Sequence, residues 1–414
     1  MRIISIILLS LITFYNSAFS KEKLLPNTLL EIKVIENWEP VKNFQKFKEY
    51  SKKTPMRGYY KRKNKELNCL NRIKNVDPYP KNDNSHQAWF TCQGYLHFAG
   101  INNPQIIGDI LLHWTSAKKD PMVKKKTTKA IGYNVSGYDI PSTIGTFAQF
   151  YAVWYNEISF TEQERQLVNK YLVQKLLDQK FKVLNYGKRK CNIKKLKSIY
   201  SKNTGTNNCG NIRMKVAVGE IMLGFRLGDQ ELLDKGHKDI YVVQAFINKD
   251  GININHASRG ANTVNYSWEY TGYSSILAEV YRPVGYDYFE HTFPRGAKVK
   301  DYIKFNYKLL KDFKLTAEWA KKNVGSQFDK YKNISKLTQA EYLQTEYAEN
   351  VYSFEHGDKE FIKAHPRFTK KYMPEVYSSV SEEEIKNFHE SREGLISANK
   401  GVSSYGLYYG NNWE

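Results

Sequence analysis

The sequence has few cysteines, no short exact repeat and little of the alternation between apolar and polar residues that marks β-strands. Its four cysteines include no Cys-x-x-Cys pair and are not accompanied by clustered histidines, which argues against a zinc site. Beyond the N-terminal segment, no apolar run is long enough to cross a membrane. We therefore expect an all-α protein of paired helices that binds no metal and no cofactor.

The first twenty residues have the features of an export signal. Arg2 precedes the apolar run Ile3–Phe14, and a small-x-small site, Ala18–Ser20, comes before a charged segment. This order is typical of a secretory signal peptide, and the run is too short for an ordinary membrane span. We predict cleavage before Lys21 and a periplasmic or secreted bacterial protein; an uncleaved N-terminal tether is the alternative.

Four cysteines in an exported chain suggest disulfide bonds. Pairing of chain neighbours, Cys69 with Cys92 and Cys191 with Cys209, would close two short loops. The sequence does not choose among the three possible pairings.

Basic residues outnumber acidic ones, 63 to 42, and give a formal charge of +21. Such a charge attracts polyanions over long range, and outside the cytoplasm an acidic polysaccharide fits better than nucleic acid. An AT-rich genome would also enrich Lys, Asn, Ile and Tyr, so the charge alone identifies no substrate. We expect a monomer with an acidic polysaccharide partner, no nucleic-acid partner and no membrane association after signal cleavage.

Helical signals recur along most of the chain. Thr161 and Glu164 form a capping box before an amphipathic run, Gly228 ends one helix, and Asp229 caps the next. The loops are predicted over 118–141, 182–210 and the Lys-Asp-Gly turn at 249–251. Helices are predicted over 104–117, 142–158, 159–179, 211–228, 229–247, 268–285, 301–313, 337–352 and 381–388.

Two short segments concentrate hydrogen-bonding side chains. As a helix, residues 254–270, INHASRGANTVNYSWEY, would place His256, Arg259 and Tyr266 on one face. Core packing accounts for tyrosines on such a face, but a buried arginine requires an anionic partner. Residues 206–213, TNNCGNIR, open another helix, whose N-terminus is suited to an anion; ordinary turn chemistry is the alternative.

Together the two segments resemble the alginate lyases of polysaccharide lyase family 5. The resemblance covers residues 140–290 and implies an α/α toroid that cleaves a uronate polymer by β-elimination. It leads us to interpret residues 21–414 as one lyase domain, with 350–414 as a looser C-terminal extension. The positions that carry the resemblance are Asn211, Leu232–Asp234, Asp250–Gly251, Arg259 and Tyr266.

The resemblance also implies residue roles, with two departures. Asn211 and Arg259 correspond to carboxylate-binding residues, and Tyr266 corresponds to the catalytic tyrosine. Ile212 stands where the family has a catalytic histidine, and His256 stands where it has a glutamate. That His256 takes over the histidine's role is a hypothesis.

The chemistry is consistent with these residue types. Neutralising the C6 carboxylate lets it accept charge as an enolate while a base removes the C5 proton and an acid protonates O4. One tyrosine can do both when the proton and O4 are syn, as in mannuronate and glucuronate polymers, if a cation such as Arg259 lowers its pKa. The missing family histidine therefore favours a syn substrate, unless His256 lies opposite Tyr266.

Other residues are candidates for sugar binding, although core packing or ordinary solvation also explains each of them. Tyr138 lies in YNVSGYD, interpreted as a lid loop, and Arg213 either extends the carboxylate site or lies on the helix surface. The substrate-binding set is Arg213, Asn208, Asn262, Tyr270, Tyr138 and Trp89.

Two other classes of function remain open. One is a non-catalytic protein that binds polyuronates on the same scaffold. The other is a glycoside hydrolase, which requires a pair of carboxylates in its cleft. Glu220, Asp250 and Glu269 are the candidates for such a pair.

Overall fold

The described part of the chain is helical. A computed structural model describes residues 24–39, 103–116, 135–178, 193, 210–257, 263–315, 336–338, 341, 359, 361–362 and 365–385. Within these ranges no strand is formed, and two isolated antiparallel bridges join Ile247 to Asn253 and Thr292 to Lys298. The predicted all-α class is confirmed, whereas closure of the helices into a toroid stays a prediction.

The α-helices of the described residues are numbered here in chain order. They are α1 (Gln105–Ser116), α2 (Val135–Trp154), α3 (Glu162–Leu177), α4 (Asn211–Leu227), α5 (Gln230–Gln244), α6 (Ile254–Ala257), α7 (Thr263–Tyr281), α8 (Val299–Lys311), α9 (Pro366–Tyr372) and α10 (Pro374–Tyr377). Short 3₁₀ turns occupy Thr28–Glu31, Arg282–Val284 and Tyr288–Glu290.

The predicted helix boundaries hold where a local capping signal sets them. Thr161 Oγ1 accepts the Glu164 amide at 3.2 Å, and Glu164 Oε2 accepts the Thr161 amide at 2.8 Å, which completes the capping box. Gly228 ends α4 with φ of 66°, and Asp229 caps α5 by accepting the Leu232 amide at 2.9 Å.

Helix α2 begins earlier than the sequence suggests. The helix starts at Val135. The prediction of a loop that extends to residue 141, and of a lid within it, is therefore wrong from Val135 onward. Tyr138 lies within the helix. Pro141 therefore lies inside α2, although proline has no amide hydrogen and is most common in the first helical turn. That preference is why the sequence favours a helix start after Pro141.

Helix α4 forms the centre of the described core. Residues 216–225 are buried throughout, and α4 packs against α2, α5 and α7. Helices α2 and α4 touch through glycines: a Cβ on Gly219 would lie 2.6 Å from the carbonyl oxygen of Gly145. Since real Cβ atoms do not approach oxygen so closely, any larger side chain would push the helices apart.

The N-terminal segment 24–39 is anchored on this core. The Trp38 indole donates to the carbonyl oxygen of Val280 at 3.0 Å and stacks on Phe225 with ring centroids 5.7 Å apart. Arg226 forms an ion pair with Glu39 at 2.7 Å and donates to the carbonyl oxygen of Ala152 at 2.9 Å. The segment thereby joins α4 and α7, and Arg226 of α4 in turn bonds α2.

Residues near the C-terminus also contribute to the core. Phe368 of α9 packs on Phe289 with ring centroids 5.2 Å apart, and Arg367 is ion-paired with Glu279 of α7. Residues 382–385 are helical after Ser381, whose hydroxyl accepts the Glu384 amide at 3.1 Å, as the sequence predicts.

Several predictions fall outside the described residues. These are the signal peptide, the four cysteines and most of the helix predicted over 337–352. Among the helices that the structure describes, none has both the length and the apolarity needed to cross a bilayer.

Two histidines are buried in the core: His237 lies on α5, and His291 directly follows the 3₁₀ turn Tyr288–Glu290. His237 is fully buried with both ring nitrogens unbonded, whereas His291 contacts the Tyr286 hydroxyl at 2.9 Å and Gln244 Oε1 at 3.2 Å. Burial, which disfavours the charged imidazolium, lowers the pKa of His237 to about 3 and that of His291 to about 4. Both histidines are therefore neutral in the folded protein at neutral pH.

We predict that acid destabilises the fold through these two groups. Their folded-state pKa values lie below the unfolded value of about 6.5, so the unfolded chain binds more protons once the pH falls below 6.5. The free energy of unfolding should then fall by about 1.4 kcal/mol per pH unit per histidine, down to about pH 4 for His291. Urea unfolding at pH 7 and pH 5 measures this fall, and His237→Leu should remove one histidine's share of it. An unchanged pH dependence in that variant would contradict the assignment.

Candidate functional site

The segment before the proposed catalytic tyrosine starts from a tight turn. Gly251 has φ of 78°, and Asn248 Oδ1 accepts the Ile252 amide at 2.9 Å, so the predicted turn at 249–251 is confirmed. Helix α6 follows, and within it His256 is buried, its amide donating to Asn253 Oδ1 at 3.2 Å. The turn thus directs His256 into the protein interior.

His256 and Tyr266 do not lie on one continuous helix. The Thr263 hydroxyl donates to the carbonyl oxygen of His256 at 2.9 Å. In an α-helix, residues seven positions apart are separated by about 10.5 Å along the axis, too far for this hydrogen bond. The chain therefore folds back between α6 and α7, and the prediction of one helical face over residues 256–270 is wrong.

The fold-back nevertheless brings His256 to the tyrosines of α7. Its ring lies 5.8 Å from that of Tyr266 between centroids, at 30°, and meets the ring of Tyr270 edge-on at 4.3 Å. Tyr266 is half-buried, whereas His256 and Tyr270 are buried. Of these three rings, Tyr266 is the one that reaches the surface.

Tyr270 has the environment of a core residue. Only 2% of it is exposed, and its ring also packs against Tyr302 of α8 with centroids 6.5 Å apart. These contacts favour the packing role that the sequence left open over the predicted contact with a sugar.

The start of α4 lies close to the same part of α7. Asn211 is the first residue of α4, and Lys215, one turn later, forms an ion pair with Glu269 of α7 at 3.1 Å between Nζ and Oε1. Glu269 in turn lies one helical turn after Tyr266. This ion pair places the first turns of α4 beside the turn of α7 that carries Tyr266.

The sequence offered a weak signal for this pair. Lys215 is four residues from Asn211, and Glu269 is three residues from Tyr266, so each shares a helix side with a predicted site residue. Because Lys215 and Glu269 are 54 positions apart, no local spacing indicates that they meet.

Arg213 forms an ion pair with a residue of α5. Its guanidinium forms an ion pair with Asp239 at 2.6 Å, and Asp239 also accepts from Lys235 at 3.0 Å. Lys235 further contacts Glu220, a fully buried carboxyl on α4. Burial first, and then the charge of Asp239, raise the pKa of Glu220 well above its usual range.

The three candidate carboxylates of a hydrolase have different surroundings. Glu220 is buried against Lys235, Glu269 is paired with Lys215, and Asp250 is exposed in the turn before α6. This arrangement gives no support to the carboxylate pair on which a glycoside hydrolase depends.

The remaining predicted residues keep the status of predictions. Arg259, Asn208, Asn262 and Trp89 lie outside the described residues, as do the side chains of Asn211 and Tyr138. In the part of the chain that the structure describes, no three His, Cys, Asp or Glu side chains are grouped so as to hold a metal ion.

Comparison with known proteins finds distant structural similarity. No family model and no curated protein matches the chain. Alginate lyase A1-III from Sphingomonas species A1 is 17% identical with a TM-score of 0.43, over 58% of this chain and 61% of that chain. Its tyrosine-to-phenylalanine variant, complexed with a tetrasaccharide, is 16% identical with a TM-score of 0.43, over 58% of this chain and 62% of that chain. The apo form of its histidine-to-alanine variant is 13% identical with a TM-score of 0.48, over 77% of this chain and 93% of that chain.

The matched region is partial for the first two of these structures. The chain spans about three fifths of their length, and identity is low throughout.

We predict that Lys235 stabilises the protein by compensating two buried carboxyls. Lys235→Met would leave Glu220 and Asp239 without this cation and should reduce the free energy of unfolding by about 3 kcal/mol. Glu220→Gln keeps the shape and removes one of the two buried carboxyls that Lys235 compensates, so its loss of unfolding free energy should be clearly smaller. Urea unfolding of both variants at pH 7 compares them. Equal losses would contradict the prediction.

Proposed function

We propose that the protein is a polysaccharide lyase that cleaves an acidic uronate polymer by β-elimination. One observation carries the proposal: the buried ring of His256 lies against the half-buried Tyr266, beside the helix turns that follow Asn211. The family resemblance of the sequence assigns its catalytic tyrosine to Tyr266 and its carboxylate-binding asparagine to Asn211. Sequence and geometry thus favour the same group of residues.

The proposed reaction uses Tyr266 for both proton transfers. Its phenolate takes the C5 proton, the electron pair forms the C4=C5 double bond, and O4 leaves with the proton that Tyr266 returns. Asn211 and Arg259 neutralise the C6 carboxylate, so that charge can develop on it as an enolate. The products are a new chain end and an unsaturated uronate.

His256 supports Tyr266 in this proposal. A sugar ring between two aromatic rings requires about 7 to 8 Å, two van der Waals contacts, so it does not fit between rings whose centroids are 5.8 Å apart. His256 is also 2% exposed, which favours orienting the tyrosine over touching the polymer. A single tyrosine without an opposing histidine suits a syn substrate, namely polymannuronate or polyglucuronate.

The proposal also covers the localisation, domain organisation and oligomeric state of the enzyme. We infer that residues 1–20 direct export to the periplasm or the medium, and that residues 21–414 form one toroidal lyase domain acting as a monomer without a cofactor. Without Arg2 the formal charge of residues 21–414 is +20 (21 − 1), which would draw the enzyme to its polyanionic substrate.

We predict that the purified mature protein raises absorbance at about 235 nm on polymannuronate or polyglucuronate, because elimination creates a conjugated C4=C5 bond. Tyr266→Phe removes the hydroxyl that carries the proton and keeps the ring, so it should abolish the signal and preserve binding. A panel of uronate polymers, with binding measured by calorimetry, tests both parts. A wild-type protein that binds these polymers without cleaving them would establish the alternative, a non-catalytic polyuronate-binding protein.

We predict that His256→Ala reduces kcat by about tenfold or more, since the loss of the ring leaves Tyr266 without its buried neighbour. Substrate binding should change little because His256 is buried. His113→Ala on α1, a half-buried histidine outside the site, is the control and should keep full activity. Full activity in His256→Ala would show that His256 has no part in the reaction.

A further inference from the structure

Lys215 and Glu269 form a shielded ion pair beside the proposed catalytic tyrosine. Their side chains are 13% and 18% exposed, whereas the pair Lys298–Glu290 near the start of α8 is 41% and 36% exposed. Water screens a shielded pair less, so its geometry and charge affect neighbouring groups more strongly.

We propose that the Lys215–Glu269 ion pair is a positioning element for the elimination reaction. It fixes the first turns of α4, which follow Asn211, against the turn of α7 that carries Tyr266, and it balances the carboxylate nearest in sequence to that tyrosine. The inference rests on the proposed function, because it assigns these two residues to the same site.

Glu269 requires a balancing charge. Residues three apart on a helix have Cβ atoms about 5 to 6 Å from each other, so the carboxylate lies within range of Tyr266. An unbalanced anion there would oppose the phenolate that takes the C5 proton. The charge of Glu269 also reaches α8, where burial mainly, and Glu269 to a smaller degree, raises the pKa of Tyr302.

The described titratable groups around this turn come from four helices. They are Lys215 of α4, His256 of α6, Glu269 and Tyr270 of α7, and Tyr302 of α8. Arg213, in the first turn of α4, forms an ion pair with Asp239 of α5. Lys215 contacts Glu269 directly.

The test compares four variants: Lys215→Met, Glu269→Gln, the double variant and Lys215→Arg. For each, kcat/KM is measured as a function of pH on the polymer that the wild-type protein cleaves best. Lys215→Met should raise the midpoint of the alkaline rise in kcat/KM by about one pH unit and lower kcat by about tenfold. Glu269→Gln should move the midpoint downward, because it removes the anion and leaves the cation. The double variant should return the midpoint towards the wild-type value, and Lys215→Arg should restore most of the activity.

The exposed pair provides the matched control. Lys298→Met removes the pair with Glu290, and Glu290→Gln removes its pairs with both Lys298 and Lys300; each variant should leave both the midpoint and kcat unchanged. If Lys215→Met fails to fold, Glu269→Gln alone tests the proposal, through the direction in which it moves the midpoint of the kcat/KM profile.

Midpoints that stay at the wild-type value in an active enzyme would overturn the positioning role and leave only a packing role. A wild-type protein that cleaves no uronate polymer would overturn the proposed function itself, and the positioning role with it. The two failures are thus distinguished by the activity of the unmodified protein.

Discussion

The contact between α2 and α4 determines how the rest of the described structure is arranged. Gly145 and Gly219 let the two helix backbones touch, and residues 216–225 of α4 are then enclosed by neighbouring helices. Close-packed interiors leave little freedom for such a helix to shift or rotate. Once α4 is fixed by its packing, the position of Asn211 at its start is fixed as well, and α5 and α7 pack around it.

Ion pairs, in addition to apolar packing, connect α4 to its neighbouring segments. Three cations of α4 each meet an acidic residue from a different part of the chain: Arg213 meets Asp239 of α5, Lys215 meets Glu269 of α7, and Arg226 meets Glu39 of the N-terminal segment. Buried ion pairs contribute little net stability when compared with apolar replacements, and an ion pair with an exposed partner, such as Glu39, also contributes little. Their effect here is on geometry, since each pair specifies which segment lies beside which turn of α4.

Local signals explain which parts of the fold could be read from the sequence. The capping box of Thr161 and Glu164, and the helix end at Gly228, depend on residues within one turn and were predicted correctly. Pro141 misled the prediction of α2, because its usual place is the first turn of a helix whereas tertiary structure holds it inside one. The missed features share a dependence on residues that are distant in sequence.

The candidate site was predictable only in part for the same reason. The resemblance selected His256 and Tyr266, and the structure brings their rings together. The spacing argument for a single helical face gave a wrong geometry, since a helix pattern cannot reveal that the chain folds back before Thr263. Lys215 was not identified, and Glu269 was considered only as a hydrolase carboxylate, because the periodicity of each helix does not show that the two residues pair.

The hydrogen bond from Thr263 to the carbonyl oxygen of His256 has a consequence for how this region can evolve. It joins the end of α6 to the start of α7, close to where the rings of His256 and Tyr266 meet. Loops closed at their base tolerate changes in length at small entropic cost. A change in the number of residues between Ala257 and Thr263 would therefore cost little and would leave the His256–Tyr266 contact in place.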